Sequence, residues 1–320
     1  LVGGQAVSKN IKKNFNMTVV IDRTVEEDAI LKLQKNINRK EYILGSRYIS
    51  KEEALESFRE DMAEYSELLD YLEENPMPEI KPRVELLAHT PDPLSLIYAA
   101  FRQCYHAGEV ADMWPSLTCG NIPREKQAEF VAKIMESGHA SPIEHVSFTF
   151  AISGVSRALT HQLVRHRIAS YSQQSQRYVD ASNMDSVLPP AIAANPRAKA
   201  RYEAFMKEVG NAYRDIKALL EEDGRGFSSR EDARMVLPQA ASTNIVVTMN
   251  CRTLLNFFEH RCCTRAQWEI RGVARTMLRL CREVLPEVFD HAGARCERLG
   301  YCPEGEKFTC GRYPLPEQRA

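Results

Sequence analysis

Residues 145–153, HVSFTFAIS, alternate apolar and polar side chains, with the small Ala151 as the one apolar member of the polar side. Val146, Phe148, Phe150 and Ile152 fall on one side, and Ser147, Thr149 and Ser153 on the other. A period of two with one polar face is the pattern of a half-buried strand. A second short run, NIVVTM (Asn244–Met249), is rich in β-branched residues and also reads as a strand. Helical spacing surrounds both. It resumes in GVSRALTHQLVRHR through Val155, Ala158, Leu159 and Leu163, and again in RTLLNFFEHR (252–261). Strands this few among so many helices do not build repeated βαβ units, so the pattern predicts an α+β fold.

Other helices have clear limits. Pro123 to Glu136 carries Phe130, Val131, Ile134 and Met135 on one face, with Gly138 placed to end it. ANPRAKARYEAFMKEVGNAYRDIKALLEEDG runs to Gly224. AQWEIRGVARTMLRLCREVLP has the cleanest stripe: Ile270, Val273, Ala274, Met277, Cys281 and Val284. Residues 1–83 read as a mostly helical N-terminal extension. There Ser50-Lys51-Glu52-Glu53 suits a capping box. Leu55, Phe58, Met62, Tyr65, Leu69 and Leu72 follow at steps of three and four, and Pro76 lies beyond them. That helix is expected to pack on the main domain or on a neighbouring subunit. Residues 1–16 precede Met17 and its MTVVID segment and read as an upstream extension. The main domain is expected over 84–290, and a Cys-containing tail over 291–320.

The 42 basic residues nearly balance the 43 acidic ones. A general nucleic-acid or membrane-surface binder carries a clear basic excess, so neither is expected as a partner. The nine cysteines are odd in number and mostly scattered. A secreted disulfide framework uses an even count in a shorter chain, which points to a reducing cytoplasm. His291, Cys296, Cys302 and Cys310 lack the short CxxC knuckle of most zinc sites, so free or buried thiols are expected there and no metal.

No GxGxxG, Walker A, GxSxG or HExxH motif occurs. Instead, donors crowd into RHRIASYSQQSQRY (165–178), which reads as a helix end followed by a loop. Gln162, Arg165 and His166 have the i, i+3, i+4 spacing of one helical face. Arg167, Gln173, Gln174, Ser175, Gln176 and Arg177 follow. Downstream come Arg234, Asn250, Arg252, Asn256 and Arg261. Guanidinium forks suit phosphate and planar imide edges, and hydroxyls and amides add directional bonds. Each group alone reads as a solvated charge or a satisfied core amide. Together they favour a phosphorylated, planar ligand.

Arg165-His166-Arg167, seven residues, Ser175, one residue and Arg177 reproduce the RHR-x7-S-x-R signature of flavin-dependent thymidylate synthases. GHASPIEH (138–145) resembles that family's GHxSPxEH segment, and RMVLP, TMNCRTLLNF and RAQWEI resemble its later blocks in order. The resemblance runs from about Val84 to Pro286. It implies an α+β fold with a central antiparallel sheet flanked by helices, in a homotetramer with sites shared between subunits. It implies synthesis of dTMP from dUMP, with FAD bound, methylenetetrahydrofolate as carbon donor and NADPH as reductant. By resemblance, Ser141, Arg165, His166, Arg167, Asn250, Arg252 and Asn256 would contact FAD. His139 and Glu144 would stand close to its isoalloxazine, and Gln173 would serve both FAD and dUMP. Gln162, Arg165, Gln173, Gln174, Ser175, Gln176, Arg177 and Arg234 would hold dUMP. Arg261 would face the uracil as the catalytic group, with no cysteine nucleophile. The sequence departs from some relatives in Gln173, where they carry Glu, and in Cys104, where they carry Ser. Two other readings stay open: a non-catalytic nucleotide- or RNA-binding protein, and an enzyme acting on a modified deoxyuridylate.

Overall fold

A computed structural model describes residues 32–33, 36–38, 81–226 and 228–318. The helix expected over Ser50–Leu72 and the MTVVID segment lie outside the described residues. From Lys81 on, every described residue belongs to one unit, Asn75–Ala320. Among the described residues no helix is long and apolar enough to cross a membrane.

Four strands form one antiparallel sheet: β1 (Arg83–His89), β2 (Ser147–Ser156), β3 (Ala169–Gln173) and β4 (Ser242–Asn250), in the order β1-β2-β4-β3. The helices are α1 (Pro93–Tyr105), α2 (Val110–Thr118), α3 (Arg124–Glu136), α4 (Arg157–Leu163), α5 (Pro190–Ala193) and α6 (Pro196–Glu222). Then come α7 (Ser228–Ala233), α8 (Cys251–Arg261), α9 (Trp268–Val284), α10 (Pro286–Phe289) and α11 (Arg295–Leu299).

The alternation read from HVSFTFAIS is the core of the molecule. Phe148 lies opposite Met249, Phe150 opposite Val247, and Ile152 opposite Ile245. All six are buried, with α8 and α9 in the same apolar cluster. Each fully buried Phe side chain contributes roughly 1.5–3 kcal/mol. The other face is more polar: Thr149 and Thr248 share a hydroxyl–hydroxyl bond of 2.9 Å.

Three segments differ from expectation. Val155 does not begin a helix. The register shifts between Ile152 and Val155, and the strand continues to Ser156. Gly154 takes φ +67° at this bulge, and its N–H reaches Asn244 Oδ1 at 3.2 Å. β3 lies inside the stretch expected to be a loop. It pairs with β4 at the sheet edge, with Ala169, Tyr171 and Gln173 half-buried and Ser170 and Ser172 exposed. β1 was not anticipated, because Leu87, 55% exposed, breaks its alternation.

The tail is packed into the same body. Ala292 and Ala294 join the core and Cys302 is buried. Arg265–Glu304 and Arg312–Glu297 ion pairs hold its surface. Among the described residues no group of three or more His, Cys, Asp or Glu side chains is arranged to hold a metal.

Candidate functional site

Helix α8 is the element on which the motif segments meet. Asn250 caps it, its Oδ1 accepting the Thr253 N–H at 2.9 Å. Leu254, Phe257 and Phe258 face the core, while Arg252 and Asn256, one turn apart, are exposed. These two polar groups are therefore not embedded among the apolar residues beside them in sequence. Three segments fasten to this helix. Arg252 pairs with Glu144 at its first turn. Thr253 Oγ1 donates to the Ile168 carbonyl at 3.0 Å. The His166 ring stands edge-on to Phe257, with centroids 4.9 Å apart.

The GHASPIEH segment leaves α3 through Gly138, at φ +84°, whose N–H returns to the Met135 carbonyl at 2.9 Å. His139 follows with both ring nitrogens engaged: Nδ1 lies 2.7 Å from the Tyr105 hydroxyl and Nε2 3.1 Å from Ser141 Oγ. Ser141–His145 forms a short 3-10 turn that carries Ser141 and Glu144.

Helix α4 stops at Leu163, so Gln162, Arg165 and His166 do not share a helical face as their spacing suggested. A turn carries the last two. The Tyr171 hydroxyl closes it, shared between the carbonyls of Leu163 (2.9 Å) and His166 (2.6 Å). Burial pushes the Tyr171 phenol up to about 12, against the opposing pull of Arg167. Arg261 donates its Nε–H to His166 Nε2 at 2.9 Å. Burial first, then Arg261 and His260, lowers the His166 pKa to about 4. The ring is thus neutral near pH 7 and free to accept from Arg261. Burial and the nearby Arg165 lower Arg261 as well. Arg165 and Arg167 are exposed and form no ion pair with any described residue.

A second group lies around β3 and α7. Gln173 Nε2 reaches Thr160 Oγ1 at 3.0 Å and Thr243 Oγ1 at 3.4 Å. Gln174 Oε1 accepts from Asn244 Nδ2 at 3.3 Å, and Ser175 Oγ accepts the Arg177 N–H at 3.2 Å. Gln174, Ser175 and Gln176 line an open groove with Gly154, Asp180 and Asn244. Arg177 pairs with Glu231 at 3.1 Å, and Arg234 Nε donates to the Glu231 carbonyl at 3.1 Å. Asp180 anchors this loop to α6. Burial alone would raise its carboxyl, but the Lys217 ammonium and bonds from Ser182 outweigh that and hold it at about 2. Among the described residues Gln162 makes only a long 3.5 Å side-chain bond, to the Ala158 carbonyl within α4. Among the described residues no hydrogen bond or ion pair joins the Arg177–Arg234 group to Arg261 or Arg252.

Tyr105, Thr160, Thr243 and Glu231 were not singled out in the sequence. They act as partners of motif residues, and only the fold brings them near. Cys104, next to Tyr105, is exposed, with its thiol 3.6 Å from the Ala100 carbonyl. Cys251 is fully buried, and burial raises its thiol far above the ordinary range.

Comparison with known proteins follows the same blocks. The model of the family described as thymidylate synthase complementing protein matches residues 85–287. A match to the FtsX extracellular domain over residues 14–113 covers less than half of the chain and shows no family. A flavin-dependent thymidylate synthase of Nitratidesulfovibrio vulgaris, strain Hildenborough, is 77% identical over 240 residues, covering 75% of this chain and 98% of its own. A protein of that name from Clostridium tetani is 46% identical over 239 residues, covering 72% and 93%. Another from Pyrococcus abyssi is 41% identical over 245 residues, covering 74% and 96%. With the family model matched from β1 to α10 and relatives this similar, the chain belongs to the flavin-dependent thymidylate synthase family.

Proposed function

We propose that this chain makes dTMP from dUMP, with FAD bound, methylenetetrahydrofolate as carbon donor and NADPH as reductant. We assign it a homotetramer whose active sites draw residues from more than one subunit. The observation that carries this reading is a set of guanidinium donors with no anion. Arg165 and Arg167 have no ion-pair partner among the described residues, and Arg261 engages only its Nε there. Arg165 also stands close enough to Arg261 to depress it. Cations held together in this way gain from an anionic ligand.

The donor set suits FAD. Arg165 and Arg167 can meet a pyrophosphate, and Arg252, Asn256 and Ser141 can meet carbonyl and ribityl oxygens. When bound, the flavin supplies the electron transfer that the reductive step needs. Arg177, Arg234 and Ser175 would take the dUMP phosphate. Arg177 is now paired with Glu231, but both partners are about 40% exposed (44% and 39%), so exchanging that carboxylate for phosphate costs little. Arg261 opposite the uracil favours negative charge on the ring as N3 ionises, which makes C5 electron-rich. Neutral His166 fixes the Arg261 side chain by accepting from Nε, which leaves both Nη groups to the ligand. Cys251, beside Asn250 and Arg252, is held as a thiol by burial, in keeping with a reaction that uses no cysteine nucleophile.

The test begins with colour. The protein should take up FAD and show flavin absorbance that dUMP perturbs. Arg261→Ala should lose on the order of 100-fold or more in dTMP formation, as when a preorganised charge is removed from a developing anion. Ser175→Ala should keep part of its activity. A protein that cannot be reconstituted with FAD counts against the reading, as does an inert Ser175→Ala that still binds dUMP.

A further inference from the structure

His139 is held at both ring nitrogens and by two aromatic neighbours. Phe101, fully buried, meets it edge-on with centroids 5.5 Å apart. Tyr105, one turn further along α1, meets it at 5.7 Å and 81°. Tyr105 is 58% exposed, so its place beside His139 is not explained by core packing. Its hydroxyl lies 2.7 Å from Nδ1, and Ser141 Oγ lies 3.1 Å from Nε2.

We propose that Tyr105 is a positioning residue for the flavin site: its hydroxyl sets the tautomer of His139, and through it the direction in which Ser141 donates. This deepens the function proposed above and rests on it. The chain of bonds could run either way on distance alone, and acidity decides. A phenol is a stronger hydrogen-bond donor than an aliphatic hydroxyl, which accepts well. Tyr105 O–H therefore donates to Nδ1, in accord with the shorter of the two distances. Nε2 then carries the proton and donates to Ser141 Oγ. With its oxygen accepting from the ring, Ser141 presents its own O–H outward, as a donor. A donor at that point suits the carbonyl or phosphate oxygens of the flavin and is wrong for a ligand that offers N–H.

Tyr105→Phe removes one oxygen and keeps the ring contact, so the fold has no reason to change. Histidine-selective 15N labelling of the FAD-free protein reads the tautomer directly. The parent should show His139 protonated on Nε2, and Tyr105→Phe should populate the Nδ1–H form. Flavin fluorescence titration should show FAD binding weakened by about tenfold, the usual scale of one lost hydrogen bond in a site of this kind. In a His139→Gln background the same Tyr105→Phe change should add nothing, because Tyr105 acts through the ring. An unchanged Nε2–H tautomer in Tyr105→Phe overturns the proposal, and so do Tyr105 and His139 effects that simply add. If the parent binds no FAD, the functional reading fails instead, and the tautomer measurement still judges the Tyr105 assignment.

Discussion

His166 combines two demands that pull on one proton. It must accept from Arg261, which requires a bare Nε2, and it sits against Phe257 where a charge is poorly solvated. Its pKa falls from 6.5 to about 4 in the folded chain. The unfolded chain therefore binds a proton more readily, and protons favour unfolding between those two values. The stability contributed by the neutral ring is fully present above about 6.5 and is lost as the pH falls towards about 4. Asp180 acts in a lower window, between its unfolded value of 3.8 and its folded value of about 2. Denaturant midpoints from pH 7 to pH 4.5 should thus fall more steeply for the parent than for His166→Asn. Parallel lines for the two proteins would show that His166 does not titrate as described. In the sequence the RHR block singles out Arg165, His166 and Arg167, whereas Arg261 lies between the TMNCRTLLNF and RAQWEI blocks and is marked only by the resemblance. Tyr105 was not legible there, because it lies 34 positions before His139 and meets it only through the packing of α1 on the turn after α3.

At the scale of elements, the strong periodicities were readable and the interrupted ones were not. β2, α8 and α9 bury long apolar stripes, so pattern and structure agree, while of the α3 stripe only Val131 is fully buried and Phe130, Ile134 and Met135 pack half-buried against the core. β3 half-buries one alternating face made of Ala169, Tyr171 and Gln173, and a polar member hides the period. The end of α4 was misplaced because spacing alone does not show where a helix stops, and here a tyrosine hydroxyl closes the next turn. What fixes the start of α4 is a buried carboxylate. Glu269, 2% exposed on α9, accepts from the Ser156 N–H at 2.7 Å and from its hydroxyl at 2.5 Å. Ser156 Oγ in turn accepts the Leu159 N–H at 3.1 Å and caps α4. One side chain thereby joins α9 to the junction that leads into the RHR turn. Glu269→Ala would leave the Ser156 N–H buried without an acceptor and should cost about 3 kcal/mol in urea unfolding. Glu269→Gln keeps one acceptor oxygen and should cost roughly half of that. An alanine variant as stable as the parent would mean that water replaces the carboxylate and that this junction is held elsewhere.

For the whole molecule, the arrangement of the two donor groups carries the last prediction. Arg261, His166 and Arg165 gather at the C-terminal end of α8, whereas Arg177 and Arg234 gather around Glu231 on α7. Among the described residues no hydrogen bond or ion pair connects the groups. With Arg177 and Arg234 proposed to take the phosphate and Arg261 the base, a single nucleotide would have to reach both groups within one molecule's length. Closed symmetric assembly offers a solution, because a site at a subunit interface can take its phosphate partners from one copy and its base partner from another. Arg177→Ala and Arg261→Ala should each be nearly inactive alone. Co-expressed or refolded together in equal amounts, they should regain activity, because some interfaces then pair an intact Arg177 from one copy with an intact Arg261 from the other. With random mixing that combination arises at roughly a quarter of the interface sites. Recovery towards that fraction of parent dTMP formation is the expected result. A mixture as inactive as its components would place both arginines in the same subunit's site, and the shared-site assembly proposed above would have to be abandoned.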